Sequence, residues 1–129
     1  ESCPESHPFW FKQAETLAAL SAQPAVNGVQ RHVLDAGAHF ATQQLQCHQL
    51  AQGASTGVHR STASRIFCVG QGRGQAKLGD LSIEWQRGDV LAVPSWVPFE
   101  IRATQASQLF EANDQPTLEK LGFYREART

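Results

Sequence analysis

The rhythm of apolar and polar residues changes near Val29. Before it, "PFWFKQAETLAALSA" (8–22) sets Phe11, Ala14, Leu17, Ala18 and Leu20 close to a 3.6-residue repeat, with Pro8 in the first turn, where a missing N–H costs nothing. That predicts a helix, ended by "SAQPAVNG" through Pro24, Asn27 and Gly28. Beyond it the chain breaks into short runs separated by Gly, Pro and Asn: "QRHVLDA", "ATQQLQCHQL", "SRIFCVG", "GQAKLG", "LSIEW", "DVLAVP", "FEIRA" and "QLFEA". Runs of this length and spacing predict an all-β sandwich or barrel of about eight strands. The tail "QPTLEKLGFYREA" predicts a short helix that opens near Pro116 and stops at Gly122. The chain thus divides into a helical extension, residues 1–28, packing on a barrel, and the barrel with its closing helical turn, residues 29–129.

Composition removes several function classes. At 129 residues the chain is the size of one domain. Charged residues are 18% and the net charge is −1, without the clustered Lys and Arg that phosphate backbones require, so nucleic acid is excluded as a partner. No stretch approaches the roughly 18 consecutive apolar residues of a membrane span, and "ESCPESHPFW" lacks a basic region followed by an apolar run, so no membrane partner is expected. Cys3, Cys47 and Cys68 are odd in number and widely spaced, which indicates neither a disulfide framework nor a zinc site and points to a reducing compartment, the cytoplasm. A chain that opens on Glu1 rather than Met reads as a processed form or a piece of something longer.

Two segments share a spacing that carries chemistry. In "GASTGVHRSTASRIFCVGQG", Gly53, His59, Ser61, Arg65 and Gly72 stand where the first cupin motif has Gly, five residues, His-x-His, three or four residues, Glu, six residues, Gly. Gly88, Pro94, Trp96, Phe99 and Ala103 stand where the second motif has Gly, Pro, Gly, His and Asn. On these residues the chain resembles the cupin superfamily, which implies a jelly-roll β-barrel with an N-terminal helix and a short C-terminal helix. "HRSTAS", "GDVLAVPSW" and "LFEANDQPTLEKLGFYREA" are similar to the C-terminal cupin half of gentisate 1,2-dioxygenase-like enzymes, bicupins that cleave aromatic rings with Fe(II). The similarity runs from about His7 to Ala127.

That resemblance implies a three-histidine Fe(II) site at positions which read here His59, Ser61 and Phe99, so His59 is the only retained ligand position and no metal cofactor is expected. Alternation turns His59 and Ser61 the same way, with Arg65 returning on the partner strand. Ser61 is a poor Fe(II) ligand while protonated, Phe99 has no lone pair, and Arg65 stays charged. A guanidinium about 4 Å from a dication would repel it by on the order of 8 kcal/mol at an effective dielectric near 20. Cys47 and His48 face opposite sides of one strand, so at most one joins His59. The register of His32 and His39 is open, and Glu100 should point away from the barrel.

The resulting expectation is a degenerate cupin with a structural role, joined to a homo-oligomer or to an N-terminal cupin domain. The alternative is a module that binds a small aromatic carboxylate through His59, Ser61, Arg65, Trp96 and Phe99, since a guanidinium matches a carboxylate in two parallel bonds. Against it stands the plainer reading that Arg65 pairs with Glu84 or Glu100, or reaches solvent. The working Fe(II) dioxygenase is the third reading. For His59 the plain reading is a barrel histidine bonded to Ser61 or water. Trp85, Trp96 and Phe99 either line an aromatic pocket or fill the barrel, and Trp96 sits where the gentisate-like enzymes also carry Trp. Leu118, Leu121, Phe123 and Tyr124 cover a barrel end or form a partner surface. "GQGRG" lacks the Gly-Lys-Ser/Thr ending of a phosphate loop and reads as a hairpin turn.

Overall fold

The structure is a computed structural model and describes residues 13–22, 25, 28–34 and 42–128. Helix α1 (Gln13–Ala22) leads into strands β1 (Val29–Leu34), β2 (Gln44–Leu50), β3 (His59–Ser61), β4 (Arg65–Gln71), β5 (Arg73–Leu78), β6 (Leu81–Gln86), β7 (Val90–Val93), β8 (Phe99–Ala103) and β9 (Ser107–Asn113), then α2 (Gln115–Lys120) and β10 (Glu126–Arg128). Among the described residues the strands form two five-stranded antiparallel sheets, ordered β1-β2-β9-β4-β7 and β10-β3-β8-β5-β6. All eight predicted runs are strands. The apolar pattern does not display β3 or β10, which are three residues each; β3 was expected only from the motif, which set His59 and Ser61 on one strand, and β10 was not expected. Predicted helix residues 8–12, like His39 and Cys3, lie outside the described residues. No described helix is long and apolar enough to cross a membrane.

Two connections differ from expectation. The turn at Gly72 joins no hairpin: β4 pairs with β7 and β9, whereas β5 pairs with β6 and β8, so the chain there crosses from one sheet to the other. A side chain at Gly72 would collide with Ser107, and its φ of 94° suits glycine. Arg65 likewise does not return on a strand paired with β3. It comes from the facing sheet, so it meets Ser61 across the interior.

Inward positions of the two sheets fill the space between them, and their chemistry changes along the strands. Toward one end, Leu50, Val69, Trp85, Ile101, Ala103 and Leu109 pack a dry core. Gly74 makes room for Trp85, because a Cβ there would sit 2.4 Å from the indole ring. Toward the other end the inward residues become polar. The ladders set His48 beside Leu109, then Gln46 and Phe67 on either side of Glu111, then Gln44 and Arg65 on either side of Asn113. Outside the first sheet, α1 packs on β1 and β2 and buries Leu20 of the expected stripe, while Ala18 is exposed.

Candidate functional site

At the polar end lies a cavity of about 360 Å³, lined by His48, His59, Ser61, Arg65, Phe67, Phe99, Glu111 and Tyr124 among others. Glu111, which is 4% exposed, is its centre. It accepts hydrogen bonds from Arg65 Nη1 at 2.5 Å, from His48 Nε2 at 2.8 Å and from Asn113 Nδ2 at 2.6 Å. The second guanidinium nitrogen, Nη2, donates to Ser61 Oγ at 3.2 Å. Asn113 and Gln46 both donate to Gln44 Oε1, carrying the network toward the rim. Burial pushes the Glu111 carboxyl up, but the hydrogen bond and charge of His48, the charge of Arg65 and the bond from Asn113 outweigh it and hold the group at about 2.

The sequence-predicted residues divide between this cavity and the surface. His59, Ser61, Arg65 and Phe99 all line it, whereas Trp96 does not. The partner of Arg65 is neither Glu84 nor Glu100; it is Glu111, which sequence reasoning missed. Glu100 instead pairs with Arg102 away from the cavity. His59 does not bond to Ser61: its Nε2–H donates to the Thr56 carbonyl at 2.6 Å, and its ring lies 5.9 Å from Phe99. Phe99 is buried, directly across the ladder from His59, and its ring contacts Phe67. His48 joins the interior while Cys47 turns to the α1 side, where burial pushes its thiol up to about 11. His32 lies half-buried on β1 and does not line the cavity.

The rim has its own chemistry. Trp96 is 42% exposed and adopts φ 64°, a strained conformation for a bulky side chain. Its N–H donates to the Ser61 carbonyl at 2.6 Å, and the Arg60 guanidinium stacks 5.0 Å above its ring. Tyr124 faces the cavity from the segment before β10. Burial pushes its phenol up, and its 2.9 Å hydrogen bond to the Glu126 carboxylate adds to this against an opposing pull from Arg65. Leu121 and Phe123 point outward and are about 60% exposed.

Does the donor set suit Fe(II)? The three positions implied for the metal hold one imidazole, one hydroxyl and one phenyl ring. That imidazole donates Nε2–H to a backbone carbonyl and so offers one lone pair, on Nδ1, and the hydroxyl accepts from a guanidinium. Glu111, which lines the same cavity, is already shared by an arginine, a histidine and an amide. Among the described residues, no three or more His, Cys, Asp or Glu side chains converge as a cation site requires. These residues do not fit the ion.

The two facing antiparallel sheets, closed at one end by a packed core and open at the other onto an inward-facing polar cavity, define a cupin. A cupin-2 domain from Rhodospirillum rubrum superposes on 68% of this chain and 60% of its own with a TM-score of 0.64 at 22% identity, a likeness of fold. Among cupins, the chain resembles the gentisate and salicylate 1,2-dioxygenases. It is 40% identical over 73 residues to gentisate 1,2-dioxygenase 1 of Aquipseudomonas alcaligenes, covering 57% of this chain and 21% of that protein. It is 28% identical to the 5-aminosalicylate 1,2-dioxygenase of a Comamonas species, over 95% of this chain and 36% of that one. The crystal structure of salicylate 1,2-dioxygenase from Pseudaminobacter salicylatoxidans matches 92% of this chain and 38% of its own, with a TM-score of 0.85 at 26% identity. The chain therefore spans about a fifth to two fifths of these dioxygenases. No protein-family model matches it.

Proposed function

We propose that this chain is a non-catalytic cupin of an aromatic-ring dioxygenase, in which a charge network has taken the place of the metal and the remaining task is structural, holding a bicupin and its oligomer together in the cytoplasm. One observation carries the reading: Arg65, at the position of the usual carboxylate ligand, projects its guanidinium inward between Ser61 and Glu111. A cation locked there by a buried carboxylate opposes metal entry, and it ties the two sheets together where a metal would otherwise do so. The carboxylate-clamp alternative has to compete with Glu111 and Ser61 for the Arg65 guanidinium, whose Nη1 and Nη2 they already engage. The working dioxygenase needs two more ligands.

The test is turnover. The 129-residue chain, incubated with Fe(II), oxygen and gentisate, salicylate or 5-aminosalicylate, is expected to consume no oxygen above the protein-free rate. Ring cleavage by this chain alone would overturn the reading. A thermal shift with aromatic carboxylates that disappears in Arg65→Gln would favour the clamp instead.

A further inference from the structure

We propose that residues 123–128 form a strap that swings open about Gly122, that Thr62 is its latch, and that this opening is the way into the polar cavity. The proposal is independent of the structural role above. Tyr124, Glu126 and Ala127 line the cavity from the strap, and Arg31 and Val33 line it from β1, so the space is bordered by the edge strand of each sheet. Among the described residues β10 pairs with β3 and with no other strand. Lifting it therefore removes a wall of the cavity and leaves the remaining strands of both sheets paired.

The strap is held by polar contacts in place of apolar burial. None of residues 121–127 is buried. Besides the three-residue ladder to β3, its hold on the barrel converges on one side chain: the Thr62 hydroxyl donates to the Phe123 carbonyl at 2.9 Å and accepts the Arg125 N–H at 2.9 Å, and the Thr62 N–H donates to the Arg125 carbonyl at 2.9 Å. These bonds lie where water can replace them, and a segment with no buried apolar side chain belongs to the low end of local stability. Tyr124 bonds to Glu126 on the same segment, so that pair travels with the strap, while Arg65 draws the phenol inward in the closed position.

The hinge follows from what stays fixed. Helix α2 is tied at its start, where Asp114 Oδ1 accepts the Ser64 N–H at 2.9 Å and Thr117 Oγ1 donates to the Thr42 carbonyl at 2.7 Å. Its end is closed by the Phe123 N–H returning to the Leu118 carbonyl at 2.8 Å around Gly122, whose φ is 74°. A Cβ on Gly122 would meet nothing within 4 Å, so the chain has both the backbone freedom and the space to turn there.

Hydrogen exchange of the 129-residue chain reads the opening. The Thr62 and Arg125 amides should exchange at least about a hundredfold faster than those of Phe67 and Glu111, which lie in the interior strands of the first sheet. Thr62→Val, which deletes the hydroxyl and keeps the shape, should speed the strap amides about tenfold and leave Phe67 and Glu111 unchanged, and Thr62→Ser should restore the wild-type rates. Access is read by a thiol placed in the cavity with Ser61→Cys, at a position 6% exposed. Its labelling by a maleimide should rise about tenfold when Thr62→Val is added, while Cys47 on the α1 side stays slow. Should that variant fail to fold, Gln46→Cys, which also lines the cavity and is 6% exposed, carries the same probe. Strap amides as slow as those of Phe67 and Glu111 overturn the proposal. So does cavity labelling indifferent to Thr62→Val, which would mean another entrance, or equal acceleration at Phe67 and Glu111, which would mean that the whole barrel unfolds.

Discussion

The carboxylate of Glu111 can be removed with almost no change of shape by Glu111→Gln. In the folded protein this group sits at about 2 against an ordinary 4.5, because His48, then Arg65 and Asn113, more than offset the cost of burying its charge. A depression of that size is worth about 3 kcal/mol of folding stability, of the same order as the 3–5 kcal/mol lost when one partner of a buried ion pair is taken away. The sign follows from the direction. A carboxyl held low in the fold stabilises fully above its unfolded value, near 4.5, and the contribution drains away as pH falls from there toward 2. Urea unfolding of wild type and Glu111→Gln at pH 7, 5, 4 and 3 should therefore show a gap of about 3 kcal/mol at pH 7. That gap should hold to pH 5 and then narrow, since below about 4.5 the unfolded wild-type chain binds a proton that the folded carboxyl, held at about 2, does not take up. A gap below about 1 kcal/mol at pH 7, or one that does not change with pH, would refute the network as the organiser of the cavity.

Other perturbations reach separate parts of the account. Gly74→Ala places a methyl 2.0 Å from the Arg102 carbonyl and against Trp85, and should cost about 3 kcal/mol in denaturant unfolding. His59→Ala removes the bond to the Thr56 carbonyl and should cost about 1 kcal/mol while leaving metal content unchanged, which elemental analysis of the variant checks. Cys47, buried and held near 11, should resist a maleimide at pH 8 in the folded protein and label fully in urea, as mass spectrometry of tryptic peptides would show.

Much of the fold was legible because each run long enough to alternate is a strand, and the punctuating glycines mark real turns. What escaped has a physical cause. Three residues cannot display a period of two, so β10 went unseen and β3, which carries His59, was reached only through the motif spacing. The site was legible on one side only. Motif spacing identified His59, Ser61, Arg65 and Phe99, but Glu111 belongs to no motif and becomes the partner of Arg65 only because β9 pairs with both β2 and β4. Its signal was present in "SQLFEAN", where Ser107, Leu109, Glu111 and Asn113 share one face: a carboxylate and an amide on the inward side of a strand require partners there. Which partners, strand order alone decides. Glu84 and Glu100 were the wrong candidates because alternation turns them away from the interior, beside the inward Trp85 on β6 and between the inward Phe99 and Ile101 on β8.

The central claim, that a charge network stands where a metal centre would be, is tested most directly by metal stoichiometry. The protein would be expressed in medium enriched in Fe, Mn, Ni and Zn, dialysed without chelator and analysed by mass spectrometry of the elements. The account predicts well under 0.1 metal per chain, a level set by adventitious binding to surface carboxylates and histidines. A value near one, lost when His59 is replaced by alanine, would contradict it.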